Sequence, residues 1–101
     1  MAQVMRVSDA DSLGSYLRHK VIQVNGILGR AEKMLGLAGD YERQGAQGPA
    51  RIFKKKARDK AKIAMKLMGV LVWHHGMDLS PQIAKARAIS HGQAAGEAQN
   101  A

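Results

Sequence analysis

The feature that most constrains this chain is a pair of long segments in which apolar residues recur every three or four positions. In the first segment these residues are Leu13, Leu17, Val21, Val24, Leu28, Ala31 and Leu35. In the second segment they are Phe53, Ala57, Ala64, Leu67, Met68 and Leu71. Because an α-helix turns by about 100° per residue, each set falls on one side of a helix. The pattern predicts two long amphipathic helices, at about residues 10–38 and 50–75.

Local signals predict where these helices end and where a third helix begins. Residues 39–49 contain three glycines and one proline, which is typical of a loop. Gly76 is the predicted C-cap of the second helix. Ser80 as an N-cap, followed by Pro81, predicts a short third helix at about residues 81–90.

The two ends of the chain carry fewer signals. Residues 1–8 are predicted to form a flexible arm, and residues 91–101 lack apolar periodicity and are predicted to form a disordered tail. The helical domain is therefore expected at residues 9–90. Side chains that can cap the first helix or favour its dipole stand near its predicted start: Ser8, Asp9, Asp11 and Ser12.

This order of elements predicts an all-α domain. Two long helices joined by a short loop form an antiparallel hairpin, and the short third helix is expected to pack across one end of it. Because two amphipathic helices alone bury little apolar surface, a homodimer that completes a four-helix bundle is a further hypothesis.

Positive charge is concentrated in the first half of the second predicted helix. The chain carries 16 Lys and Arg against 8 Asp and Glu, and residues 51–66 hold eight of these cations with Asp59 as their one acid. On a helix, one continuous ridge is formed by Arg51, Lys55, Arg58, Lys62 and Lys66. These five residues are the predicted contacts to phosphate, together with Lys54 and Lys56.

A ridge of this kind can neutralise several phosphates of a nucleic acid at once, and the binding then weakens steeply with salt. Such contacts position a duplex without reading its sequence. The sequence has no aromatic platform of the kind on which single-strand binders stack bases, which favours a duplex backbone. Two other interpretations stay open: a solvated helix face, and a basic helix that lies on a membrane surface.

Trp73 and His74 are candidate interface residues near the end of the second helix. At helical spacing Trp73 projects close to the direction of the ridge, and tryptophan is enriched at binding hot spots. The other interpretation is a Trp73 that is partly buried under the loop before the third helix. His74 is expected to act as a helix-terminal cation or dipole partner.

The sequence contains no recognisable catalytic or metal-binding pattern. It has no cysteine, and its four histidines and eight acids stand in no known metal-ligand or acid–base spacing. We therefore expect no enzyme activity, no metal and no cofactor. A chain without cysteine is expected in the cytoplasm. No apolar run approaches the ~18 residues of a membrane-spanning helix.

Residues 79–90, LSPQIAKARAIS, resemble the first helix and turn of the helix-turn-helix DNA-binding family. The matching features are Ser80-Pro81 at the start, Ile83-Ala84 facing inward and Ile89-Ser90 after the turn. The resemblance implies that a second helix would follow and enter the major groove.

The segment departs from that family at the turn and after it. Ala88 stands where the turn residue is usually glycine, Arg87 stands at an apolar position, and the following residues carry no large apolar anchor. The other interpretation is a C-terminal helix that packs through Leu79, Ile83 and Ala86.

Two hypotheses of function follow. The leading one is a small, basic, non-enzymatic accessory protein that contacts the phosphate backbone of nucleic acid through the ridge. The alternative is a protein-interaction module, such as an inhibitor or adaptor, that docks on an acidic or nucleic-acid-binding surface of a larger complex.

Overall fold

The computed structural model describes residues 7–92, with side chains from residue 12 onward. It contains three helices: α1 at Val7–Arg43, α2 at Gln47–His75 and α3 at Ser80–Ser90. The described residues include no strand, and none of their helices is long and apolar enough to cross a bilayer. α1 and α2 pack along each other as an antiparallel hairpin, and α3 packs against both. The prediction of an all-α hairpin with a short third helix is confirmed.

Both long helices extend further toward the turn than predicted. The predicted loop at residues 39–49 is reduced to residues 44–46, and glycines at its two ends are helical. A glycine inside a helix costs up to about 1 kcal/mol relative to alanine. Contacts across the hairpin offset this cost, since Ala38 is buried and Tyr41 stacks on Phe53 with 5.6 Å between the ring centroids.

The turn itself is closed by backbone hydrogen bonds and one left-handed residue. Gly45 has a φ of 80°, and the Ala46 N–H donates to the Tyr41 carbonyl over 2.8 Å. α2 then begins at Gln47, with Pro49 in its first turn. A proline is tolerated there because the first N–H groups of a helix have no intrahelical acceptor.

α1 also begins earlier than predicted. Val7 and Ser8 belong to the predicted arm but are helical, and the predicted capping residues lie inside α1 and not before it. The rest of the predicted arm, residues 1–6, and of the predicted tail, residues 93–101, lies outside the described residues.

The core lies where the three helices meet, and the predicted apolar stripes supply most of it. α1 contributes Val24, Ile27, Leu28, Ala31 and Leu35. α2 contributes Ala57, Ala61, Ala64, Met68 and Leu71. α3 contributes Ala86 and Ile89, and its N-cap residue Leu79 is buried with them. Because α2 presents alanines, α1 can approach it closely, and the larger side chains of α1 fill the space between the helices.

The N-terminal part of α1 is less buried than the predicted apolar stripe implies. Leu13 is 45% exposed, and Leu17 and Val21 are only partly buried. A difference in length accounts for the exposure of Leu13, since α1 has 37 residues and α2 has 29. The Tyr16 ring lies 6.5 Å from the ring of His75, the last residue of α2, so the residues before Tyr16 extend past the end of α2.

α3 runs back along the hairpin. Its Lys85 Nζ lies 3.1 Å from the Glu32 carboxylate in the middle of α1. Its C-terminal residues, Ser90 to Gly92, line a cleft with the first half of α2. This return path brings the end of α3 next to the basic segment of the chain.

α3 is one continuous helix through Arg87, Ala88 and Ser90, so the turn expected from the helix-turn-helix resemblance is absent there. Ala84, expected to face inward, is exposed. The packing interpretation of this segment is confirmed, because Leu79 and Ala86 are buried and Ile83 packs against the core. A run of buried apolar residues on one face keeps the helix unbroken.

The start of α3 differs from the predicted Ser80 cap. Leu79 occupies the N-cap position and Ser80 is the first helical residue. Asp78 Oδ1 accepts hydrogen bonds from the Ser80 hydroxyl over 2.6 Å and from the Ser80 N–H over 3.1 Å. These two bonds hold the pKa of the Asp78 carboxyl below its ordinary value of 3.8.

Replacing Asp78 with Ala is expected to lower the melting temperature at neutral pH, and the difference from wild type should shrink in acid. The carboxylate contributes stability above its ordinary pKa of 3.8, and this contribution is lost as the pH falls through the lowered pKa of the folded state. Thermal melts followed by circular dichroism, from neutral pH to below pH 3.8, measure the effect. Asp78→Asn is the control, since it keeps an acceptor that does not titrate. A difference between Asp78→Ala and wild type that is independent of pH would refute the role of the charge.

Gly76 caps α2, as predicted. Its φ is 62° and its N–H donates to the Val72 carbonyl over 3.0 Å. Gly76→Ala is expected to lower the free energy of unfolding by about 1–2 kcal/mol, since a Cβ is strained in the left-handed region. Gly69→Ala is the matched control inside α2: an added Cβ meets nothing within 4 Å, and stability should rise by up to about 1 kcal/mol. Urea denaturation measures both, and effects of the same sign would contradict the assigned cap.

Candidate nucleic-acid interface

The five ridge residues predicted on α2 all lie on its solvent side. We define the basic ridge as Arg51, Lys55, Arg58, Lys62 and Lys66, and all of them are exposed. With a rise of about 1.5 Å per residue, the ridge extends over roughly 22 Å. The helix forms here because Lys, Arg and Ala are strong helix formers and the alanines bury one side. The ridge lies about 120° around the helix from those alanines.

Most of the charge on the basic ridge is not neutralised within the protein. Lys55 Nζ lies 3.1 Å from Asp59, but both side chains are more than half exposed. An exposed ion pair of this kind contributes little to stability, so Lys55 can readily exchange Asp59 for another anion. Arg51, Arg58 and the two remaining lysines of the ridge have no acidic partner among residues 12–92.

Two predicted contact residues lie off the basic ridge. Lys54 is half-buried and its Nζ lies 2.7 Å from the Glu42 carboxylate, which ties α2 to the end of α1. Lys56 lies on the opposite flank of α2, with its Nζ 5.7 Å from the centre of the Phe53 ring. The structure therefore brings five of the seven predicted residues into one line, and separates Lys54 and Lys56 to its two sides.

A cleft of about 480 Å³ borders the N-terminal half of the basic ridge. From α2 it is lined by Arg51, Lys54, Lys55 and Arg58. From the end of α3 it is lined by Ser90, His91 and Gly92. Sequence reasoning missed these three residues because only the return of α3 along the hairpin brings them here, and no local signal marks them.

Trp73 and His74 are exposed near the end of α2. Trp73 is 86% exposed, so the interpretation that buries it under the following loop is wrong. It stands seven residues after Lys66, which places it in line with the basic ridge. Val70 and Ile63 are also about half exposed and lie one after the other on an adjacent strip of α2.

The described part of the chain offers no group of three or more His, Asp or Glu side chains that could hold a metal ion. Comparison with protein-family models, with curated proteins and with solved structures gives no match to this chain. The geometry and charge of α2 and α3 are therefore the basis on which a function can be inferred.

Proposed function

We propose that this protein is a small, non-enzymatic accessory protein that binds the phosphate backbone of nucleic acid through the basic ridge. The single observation that carries the proposal is a line of exposed cations over roughly 22 Å of one helix face. Four of these five cations have no acidic partner within residues 12–92. The absence of cysteine fits a reducing compartment such as the cytoplasm.

The spacing of the basic ridge suits a polyanion of high charge density. Duplex DNA carries one charge per ~1.7 Å along its axis, so a length of duplex equal to that of the ridge carries more phosphates than the ridge has cations. Five engaged phosphates would give a slope of log affinity against log salt of roughly −4.5.

A duplex fits this surface better than a single strand. Single-strand binders stack successive bases on exposed aromatic rings. Phe53 is the one aromatic residue among residues 51–66, and its ring is stacked on Tyr41. Among residues 12–92, the one exposed aromatic ring in line with the ridge is that of Trp73, which lies beyond the end of the ridge.

Fluorescence anisotropy with labelled duplex DNA and duplex RNA, titrated across salt, tests the proposal. Tight binding at low salt, with a slope of roughly −4.5 and little dependence on base sequence, is the expected result. Single strands of equal length are expected to bind more weakly. No binding of either duplex at low salt would overturn the proposal. Light scattering in the same buffer measures whether the predicted homodimer forms.

The exposure of Trp73 supports a second candidate function, a protein-interaction module that docks on an acidic or nucleic-acid-binding protein surface. A large exposed indole beside the half-exposed Val70 and Ile63 provides the apolar anchor that such an interface needs. The discriminating variant is Trp73→Ala. Nucleic-acid binding through the basic ridge should be almost unchanged by it, whereas docking on a protein partner should be lost.

A further inference from the structure

The cleft between α2 and α3 is built from two elements, and its lining is strongly cationic. Arg51, Lys55 and Arg58 belong both to the cleft and to the basic ridge, so the two surfaces are continuous. α3 adds a half-buried hydroxyl at Ser90 and an exposed imidazole at His91. The seven residues that line the cleft include no Asp or Glu.

This lining selects for the chemistry of phosphate. Guanidinium groups donate bidentate hydrogen bonds to phosphate oxygens, and hydroxyl and imidazole N–H groups donate further ones. The lining has no apolar side chain and no aromatic ring other than imidazole, so it offers nothing on which a base could stack. A volume of about 480 Å³ is larger than one phosphate needs and leaves room for a stretch of backbone.

The C-terminal end of α3 carries the negative partial charge of its carbonyl oxygens, which repels anions. This repulsion is weaker here than at a helix end whose carbonyls have no hydrogen-bond donors. The His91 N–H donates to the carbonyls of Arg87 and Ala88, each over 3.1 Å, and the Gly92 N–H donates to that of Ile89 over 2.9 Å. These bonds engage three of the last four carbonyl oxygens of α3, those of Arg87, Ala88 and Ile89.

We propose that this cleft seats backbone phosphates of the same nucleic acid that lies on the basic ridge, so that α3 is a second half of the interface. The inference rests on the proposed function. Ser90 and His91 hold the phosphate from the α3 side, opposite Arg51 and Arg58. Arg87 extends this side, because it is exposed and stands one turn before His91 on the same face of α3.

The positions of the cleft and the basic ridge define a path for the bound backbone. It enters over the end of α3, passes through the cleft, and continues along the ridge toward Lys62 and Lys66. Lys54 also lines the cleft, and its Nζ is held 2.7 Å from the Glu42 carboxylate at the end of α1.

A triple variant in α3, Arg87→Ala with Ser90→Ala and His91→Ala, tests the inference. Duplex affinity at low salt is expected to fall by about tenfold, and the magnitude of the salt slope by about one, because one permanent cation and two further donors are removed. The control removes the same three residue types from the outer side of α1, as Ser15→Ala, Arg18→Ala and His19→Ala. Its affinity is expected to stay within about twofold of wild type. Circular dichroism verifies that both variants fold.

The outcomes separate this inference from the proposed function. Wild-type affinity and slope in the α3 variant, with loss of binding when the basic ridge is reversed, would overturn the inference and leave the proposed function standing. Equal losses of duplex affinity in the α3 and α1 variants would also overturn the inference, since the loss of net positive charge alone would then explain both results. If neither duplex binds, inorganic triphosphate is titrated against the wild type by NMR. Shifts confined to the cleft would assign it to free polyphosphate and refute the proposal, as would the absence of shifts.

Discussion

Reversing three charges of the basic ridge, with Lys55→Glu, Arg58→Glu and Lys62→Glu, is expected to abolish binding to duplex nucleic acid. At about 0.1 M salt each lost phosphate contact lowers affinity by close to tenfold, so three contacts amount to roughly 10²- to 10³-fold. The new carboxylates add repulsion to this loss. The measurement is duplex anisotropy at constant salt.

Folding should survive these substitutions. All three side chains are exposed, and Glu, Lys and Arg have similar helix propensities. The main local effect is repulsion among the new carboxylates at positions 55, 58 and 62 and Asp59. They form four like-charge pairs at three- or four-residue spacing, each of which costs a few tenths of a kcal/mol. An unchanged helical circular dichroism spectrum and a similar melting temperature verify this before binding is compared.

A charge-matched variant separates the basic ridge from the overall charge of the protein. Arg18→Glu, Arg30→Glu and Lys33→Glu make the same change in net charge on exposed positions of α1. This variant should keep most of the affinity, because contacts beyond about 10 Å are largely screened at this salt. Unchanged affinity in the ridge variant, or equal losses in the two variants, would refute the proposed role of the ridge.

Leu28→Ala is expected to be the most destabilising single change in the core. Leu28 is completely buried in the core cluster that also holds the alanines of α2, so its removal leaves a cavity that small neighbours cannot fill. The expected loss is about 2–5 kcal/mol in the free energy of unfolding. For a domain of this size, such a loss corresponds to a fall in melting temperature of roughly 10–25 °C.

The same substitution at Leu37 provides the control. Leu37 lies on α1 and is 45% exposed, so Leu37→Ala is expected to cost less than about 1 kcal/mol. Urea and thermal denaturation measure both variants. If Leu28→Ala were no more destabilising than Leu37→Ala, the packing of α1 against α2 described above would be wrong.

Features that depend on residues close in the chain could be predicted. Apolar residues at three- and four-residue spacing predicted the two long helices, and Val24, Leu28 and Leu35 are indeed buried. The Gly76 cap was predicted because a left-handed residue after a helix is a local requirement. The exposure of the basic ridge was predicted for the same reason, since periodicity alone separates it from the buried alanines.

Features that depend on contacts between helices could not be predicted. Glycines suggested a loop at residues 39–49, but the stacking of Tyr41 on Phe53 and the burial of Ala38 extend both helices toward a shorter turn. Glycine propensity is worth at most about 1 kcal/mol, and tertiary packing outweighs it. Leu13 fits the stripe of α1 but is exposed, because the stripe carries no information about where α2 ends.

The candidate site also combines features that the sequence predicts with features that depend on contacts between helices. By itself the sequence determined the helices, the buried faces and the line of cations on α2, because each of these follows from the 3.6-residue repeat of a helix. Only the tertiary structure decided that Lys54 is held by Glu42 and that Ser90 and His91 stand beside Arg51 and Arg58. Those pairings join residues more than ten positions apart, and their geometry depends on how α3 packs back onto the hairpin, which no local pattern specifies.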